Sequence, residues 1–504
     1  MIVKRTLKVM GVAAMILITS IAGNPGTTAV AHTAIHALQL DNTQVAVPAL
    51  THSRTIASET ATQRPAPFSV ELAPSQAISI YLPVMLRTFP LRTAFGMETT
   101  SLDDAGELPQ IISAGATLVR RNALLWSDVE PSPGVRNWAA VAGLEQELQN
   151  AAQNNIQTIL IVRGTPTWAQ AVAGSQCGPI LPAQYGAFGA FLRDVAQRYG
   201  NRVAFLEIGN EPDASINTSN DPFGCWGNPA DPQYFGGAAY GQMLVQVYPQ
   251  IKAVNSGVQV LIGGLLLDCD PRNPPPGKNC TPARFLEGIL KAGAANSFDG
   301  VSFHAYDFSS ISEALGYFSN SSWASAWNTT GPVVIAKARF VKQVLAANGA
   351  FNKTLINTET ALICYACASK GATFEESKAY YVPQAFAAAL AEGLYAQVWY
   401  SWQGWNNSDL DDPAYPKALT AYTVARQKLA EAAFIREVPG LAGVKAYEFQ
   451  TGNHTLWVAW SLDGAAHATT LPTTSLSIQD VYGTAQANAS SVSITLKPLY
   501  IELP

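Results

Sequence analysis

The sequence predicts an α/β protein, a (β/α)8 (TIM) barrel followed by a small C-terminal β-sandwich. Three observations carry that expectation. Short apolar runs alternate with longer amphipathic stretches through most of the chain. The runs are nearly continuous blocks of aliphatic residues, as parallel strands buried on both faces require. After Pro439 the pattern changes to short alternating runs separated by turn residues.

Taken in order, the apolar runs fall at residues 93–97, 117–121, 158–162, 204–208, 259–265, 300–304, 354–357 and 397–402. Helix-period segments lie between them at 141–154, 183–199, 240–255, 282–292, 335–348 and 379–392, with a last one at 417–434. Apolar residues recurring every three or four positions give a helix one face to bury. Parallel strands need a crossover of helix length between them, and eight such units wound one way close a barrel, assigned to 92–435. A doubly wound open sheet is the alternative. Neither a G-x-G-x-x-G nor a G-x-x-x-x-G-K loop follows any run, which counts against it. Beyond the barrel, strands are expected at 445–449, 455–460, 467–471, 477–481, 491–496 and 499–503, with Gly452-Asn453 and Asp463-Gly464 as turns. These make a sandwich over 436–504.

The chain begins with Lys4, Arg5 and Lys8, an apolar stretch at 9–22, and small residues at Ala29-Val30-Ala31. That order reads as a signal peptide over 1–31 and a secreted protein. The apolar stretch falls short of the ~20 residues a spanning helix needs, so no membrane association is expected after cleavage. Residues 32–91 are rich in Thr, Ser, Ala and Pro and read as a linker. Within it, 78–86 is apolar and β-prone and is expected to pair with the sandwich, because a closed barrel offers no free edge.

With 48% apolar and 13% charged residues, the 504-residue chain can bury a large core. A net charge of −5 gives no general attraction to nucleic acid or anionic membranes. A monomer is expected. Six cysteines in an exported chain point to disulfides. Cys269 and Cys280 share the loop after the fifth strand, Cys177 and Cys225 lie in the neighbouring loops after the third and fourth, and Cys364 and Cys367 remain as a local pair. Zinc would need further ligands, and His304 is the only histidine between residues 53 and 453. No metal or organic cofactor is expected.

Active sites of such barrels form at the C-terminal ends of the strands. The fourth run leads into Leu206-Glu207-Ile208-Gly209-Asn210-Glu211-Pro212 and the sixth into His304-Ala305-Tyr306. The seventh leads into Ile356-Asn357-Thr358-Glu359 and the eighth into Trp399-Tyr400-Ser401-Trp402. Two carboxylates facing one cleft suit cleavage of a glycosidic bond: one protonates the leaving oxygen, the other attacks or stabilises an oxocarbenium-like centre. Apolar walls and a second carboxylate would help the acid keep its proton. Aromatic rings nearby offer flat faces to sugars.

Asn210-Glu211-Pro212 at the fourth strand end, with Glu359 at the seventh, resembles the clan A retaining glycoside hydrolases, of the family 39 or family 5 type. The resemblance implies that Glu211 is the acid/base and Glu359 the nucleophile. It implies that Asn210 meets the sugar 2-hydroxyl, that His304 and Tyr306 line the sugar site, and that a Trp after the eighth strand, taken as Trp402 rather than Trp399, forms its floor. Val119-Arg120-Arg121 and the following Trp126 and Glu130-Pro131 look like the clan's second strand and loop. Either Arg120 or Arg121 is then expected to face the nucleophile. Gly164-Thr165-Pro166-Thr167-Trp168 resembles the third-strand end, which makes Trp168 a candidate sugar contact. Glu207 is read as a structural partner for a second-strand Arg, and Glu98 as a sugar contact or a surface residue. Trp457 and Trp460 are read as core. The expected function is hydrolysis of a polysaccharide or oligosaccharide by double displacement. The competing reading is a non-catalytic carbohydrate-binding or cell-surface protein on the same barrel.

Overall fold

The computed structural model describes residues 93–218, 224–309, 315–365, 367 and 371–504. The expected signal peptide, linker and strand at 78–86 lie outside the described residues. Eight parallel strands form a closed ring: β1 (Ala94–Glu98), β2 (Leu118–Leu125), β3 (Gln157–Arg163), β4 (Phe205–Asn210), β5 (Gln259–Leu265), β6 (Gly300–Phe308), β7 (Thr354–Ile363) and β8 (Ala396–Trp399). They pair in chain order, and β8 returns to β1 with Ala94 opposite Ala396. One helix follows each strand: α1 (Glu107–Ser113), α2 (Ala142–Gln153), α3 (Tyr185–Tyr199), α4 (Gly237–Val254), α5 (Phe285–Lys291), α6 (Val334–Ala347), α7 (Ala372–Ala391) and α8 (Lys417–Leu429). The (β/α)8 barrel is as expected. No described helix is long and apolar enough to cross a membrane.

Side chains on a strand alternate between its two faces. Leu118, Ile159, Phe205, Leu261, Ile356, Ala396 and Val398 fill the barrel as one cluster. Their neighbours Val119, Leu160, Leu206 and Val260 join the larger core shared with the helices. Two residues further along β2 and β4, the inward positions become Arg120 and Glu207, and the interior turns polar.

Among the boundaries that differ from the expectation are two at the strand and helix ends that shape the site and the second sheet. β6 and β7 continue past His304 and Glu359, pairing His304–Phe308 against Glu359–Ile363 after a register shift at Phe303. The apolar pattern is interrupted by polar residues, Asn357, Thr358, Glu359 and Thr360 on β7 and His304, Tyr306 and Asp307 on β6, while the ladder continues through Ala361, Leu362 and Ile363. The last helix ends at Leu429, and Ala433–Glu437 is a strand rather than the helix end at 434. Pairing to a following strand overrides the helical periodicity of this segment.

That strand, β9 (Ala433–Glu437), heads a second sheet with β10 (Val444–Thr451), β11 (His454–Ser461), β12 (His467–Thr470), β13 (Ser477–Asp480), β14 (Ala485–Gln486), β15 (Ser491–Ile494) and β16 (Leu499–Leu503) following in the chain. Six strands order as β9-β10-β11-β16-β13-β14, and β12 with β15 forms a facing ribbon. Trp457, Ala459, Ile478 and Ile501 from the sheet and Leu471, Val492 and Ile494 from the ribbon side share one apolar layer, so the C-terminal part is a small β-sandwich. The alternate residues Leu456, Val458, Trp460, Tyr447, Phe449 and Tyr500 belong to the same core as the barrel. Trp457 and Trp460 are 3% and 0% exposed, so both pack as core.

All three expected disulfides are present, Cys177–Cys225, Cys269–Cys280 and Cys364–Cys367, with Cα separations of 5.2, 5.2 and 5.4 Å. Each bridge pins a loop at the C-terminal end of the barrel strands.

Candidate active site

Arg120 is the hub of the barrel mouth. It is fully buried on β2, and its guanidinium is held from four directions. Nε donates to Glu207 at 2.6 Å, Nη1 to Glu98 and to Glu359 at 2.5 Å each, and Nη2 to the Asn210 side-chain oxygen at 2.6 Å. Alternation sends the next residue the other way: Arg121 pairs with Glu147 on α2 at 2.5 Å, on the helix side of the barrel. The choice left open by the sequence therefore falls on Arg120. Glu207, fully buried, takes Arg120 on one oxygen and the hydroxyls of Ser302 and Thr358 on the other. It is the arginine partner that was expected.

Glu98 is not a surface residue. At 7% exposure it sits against Arg120 inside the cluster. Burial pushes its carboxyl up to about 8, against the pull of Arg120 and with added repulsion from Glu359 and Glu207. The folded protein therefore holds this proton from about pH 4.5 to about 8, where the unfolded chain has released it. A raised carboxyl contributes stability fully present below its unfolded pKa and lost as pH rises towards its folded one. Glu98→Gln is expected to flatten the fall in thermal midpoint across that window. An unchanged slope in calorimetry would place the proton elsewhere.

Glu211 and Glu359 meet around His304. The imidazole Nδ1 lies 2.8 Å from Glu211 and 3.3 Å from Glu359, and one oxygen of each carboxylate lies within 4.8 Å of the other. Glu211 follows β4 in a left-handed backbone conformation (φ 47°), with its N–H donating to the Gly264 carbonyl at 2.9 Å. Such a conformation in a non-glycine residue persists only where the surroundings impose it. Gly264 is itself required: a Cβ there would stand 2.1 Å from His304 Nε2. Burial pushes Glu211 up to about 7, with Arg120 and Lys337 opposing. Burial likewise takes His304 down to about 4, leaving a neutral ring between the two acids. Glu359 accepts from Arg120 on Oε1 and from the Tyr306 hydroxyl on Oε2.

Glu211, His304 and Glu359 are spaced as three ligands of a cation would be. Both Glu359 oxygens are already engaged, one by a guanidinium, so this donor set suits proton transfer and nucleophilic attack better than a metal.

The structure brings Asn210, His304, Tyr306 and Arg120 to the two glutamates, while Arg121 faces α2. Trp402 is 2% exposed and its ring belongs to the core, although its backbone N–H reaches the Glu98 carbonyl at 2.8 Å. Trp399 is also buried and bonds the Ser408 carbonyl. The partly exposed aromatic residues here are Tyr400, edge-on to Tyr306 at 6.0 Å, and Trp405, edge-on to it at 5.8 Å. Alternation from a buried Trp399 would have pointed to Tyr400. Trp168 packs edge-on against Trp126 at 5.2 Å and donates to the Glu130 carbonyl, which places it on the third-strand loop.

Two further groups support the site from behind. Asp213 accepts from the N–H groups of Leu266 and Leu267 at 2.8 Å each, tying the loop after β4 to the end of β5. Lys337, 4% exposed on α6, donates to the carbonyls of Leu266 and His304 at 2.7 and 2.8 Å. In the sequence Lys337 reads as one more charge on an amphipathic helix, so nothing there distinguishes it.

No family profile matches the sequence, and no curated protein does. Solved structures do match. A family 39 glycoside hydrolase from the gut symbiont Bacteroides cellulosilyticus is similar with a TM-score of 0.61 at 18% identity, covering 82% of each chain. A GH30 endoxylanase from Clostridium papyrosolvens has a TM-score of 0.54 at 12% identity, over 82% of this chain and 96% of its own. A conserved exported protein from Bacteroides fragilis has a TM-score of 0.56 at 11% identity, over 82% and 97%. At these identities the likeness is one of fold: the chain has the (β/α)8-barrel fold of these structures.

Proposed function

We propose that the protein is a secreted glycoside hydrolase that cleaves a polysaccharide or oligosaccharide with retention, Glu211 serving as acid/base and Glu359 as nucleophile. One observation carries this reading. The fold brings two carboxylates from β4 and β7 together across one imidazole, one poised to hold a proton near neutrality and the other fixed by a guanidinium and a phenol. Their proximity fits the ~5–5.5 Å carboxyl separation of retaining enzymes rather than the ~6.5–9.5 Å that admits a water for inversion.

In the first step Glu211 gives its proton to the glycosidic oxygen while a Glu359 oxygen bonds the anomeric carbon and the leaving sugar departs. Glu211, now a carboxylate, takes a proton from water, whose oxygen displaces Glu359 and restores both groups. Arg120 and Tyr306 keep the nucleophile oriented throughout. Asn210, held through its oxygen by Arg120, leaves its amide N–H groups for a sugar hydroxyl. The signal-like segment at 1–31 and the three disulfides support an extracellular location.

The test is a screen of polysaccharides and aryl glycosides, followed by NMR of the first-formed product. Retention of the anomeric configuration is the expected result, and inversion would overturn the mechanism. The pH profile gives an independent check. Glu211 works as an acid only while protonated, so kcat/KM on unactivated substrates should fall as pH rises through about 7. A basic limb in the ordinary carboxylate range would mean another group donates the proton.

A further inference from the structure

The aromatic residues at the barrel mouth extend beyond the two glutamates. Tyr306, whose hydroxyl donates to Glu359, meets Tyr400 and Trp405 edge-on. Trp405 meets Tyr365 edge-on at 5.8 Å, and Tyr365 lies nearly parallel to Phe308 at 5.7 Å and 22°. Each of these side chains keeps some exposed surface, and Tyr365 is 61% exposed. The wall thus runs without a break from the nucleophile to an open ring.

Tyr365 is also tethered. It lies between Cys364 and Cys367, which are bridged to each other. Cys364 N–H donates to the Asn406 carbonyl at 3.2 Å, and the Asn407 side-chain amide reaches the carbonyls of Cys364 and Cys367 at 3.5 and 3.4 Å. Burial raises the Tyr365 phenol, and the Glu211 carboxylate adds to the rise.

We propose that Tyr365 is the platform of a leaving-group subsite, on which the sugar ring departing from Glu211 stacks its C–H face, and that the Cys364–Cys367 bridge holds the platform in place. The proposal rests on the glycosidase reading and deepens it: the substrate carries a sugar, not a small aglycone, on the leaving side. An open aromatic ring at the end of this wall has no core to fill, but a pyranose face would cover it. The ring is placed by backbone bonds and a covalent bridge, so little ordering remains to be done on binding.

The experiment compares an oligosaccharide cleaved by the wild-type protein with the fluoride of the same glycosyl unit, whose leaving group puts no ring in the subsite. Tyr365→Ala is expected to lower kcat/KM on the oligosaccharide ~10-fold, the scale of one lost stacking contact, while the glycosyl fluoride rate keeps pace with wild type. Tyr365→Phe keeps the ring and should match wild type on both. The double variant Cys364→Ser with Cys367→Ser should show the selective loss seen for Tyr365→Ala. Equal losses on both substrates, no loss on either, or a Phe variant as slow as the Ala variant would overturn the subsite. Full oligosaccharide activity in the serine double variant would overturn the tether. A wild-type protein inactive on every glycoside would instead overturn the proposed function, a different outcome from any of these.

Discussion

Glu359→Gln is expected to abolish turnover on every glycoside, by roughly 10⁴-fold or more, because in the proposed mechanism it removes the group that bonds the anomeric carbon. Leaving-group activation cannot compensate for a missing nucleophile. Glu211→Gln should behave differently. Substrates with poor leaving groups should slow by roughly 10²–10⁴-fold, the usual contribution of general acid catalysis. Activated aryl glycosides need little protonation and should still glycosylate Glu359. Azide should then restore turnover of the Glu211 variant, since a small anion attacks the glycosyl-enzyme without a base, and a β-linked substrate should give the β-glycosyl azide. Both variants are nearly isosteric with wild type, so circular dichroism should be unchanged. An exchange of the two rescue patterns would reverse the assigned roles.

Arg120→Met should be the most destabilising single change at the site. It removes the one cation that Glu207, Glu98 and Glu359 share, all with 9% side-chain exposure or less. Breaking a buried ion pair from one side costs about 3–5 kcal/mol, most of it the uncompensated charge left behind. The check is a denaturant titration with an unchanged slope and a lower midpoint. Adding Glu207→Gln should recover part of the loss, because it neutralises the carboxylate with 0% side-chain exposure. A single-variant loss below about 1 kcal/mol would show that water already screens the cluster.

The strands were legible because a parallel strand buried on both faces has an unmistakable composition. That same property hid the phase of β2. With Leu118 and Val119 both fully buried, hydrophobicity cannot say whether Arg120 or Arg121 points inward. Only Glu147 on α2, a partner for one of the two, decides it. The glutamates were legible because Asn210-Glu211-Pro212 and Glu359 stand directly after apolar runs. The partly exposed aromatics Tyr400 and Trp405 were not: a Trp rich in apolar surface reads as a platform but is more easily buried, and both Trp399 and Trp402 are. Glu98 was misjudged for a related reason, since a lone Glu gives no sign that an arginine four-way junction awaits it. The C-terminal ends of β6 and β7 were cut short because polar residues interrupt the pattern while backbone pairing continues, on β7 into the apolar Ala361, Leu362 and Ile363.

The position of Trp460, Phe449 and Tyr500 in the barrel's own core bears on how this architecture can be taken apart. A carbohydrate-binding module on a flexible tether can be deleted, swapped or transplanted, since each unit keeps a finished surface. The outer layer formed by β9 to β16 has no such autonomy. Severing the chain after α8 would strip the barrel of a facing that its α7 side uses as insulation from water, and would leave the excised strands with one greasy side unclothed. The two parts share one core, so an engineer seeking a smaller enzyme would have to shorten loops instead of removing the C-terminal layer.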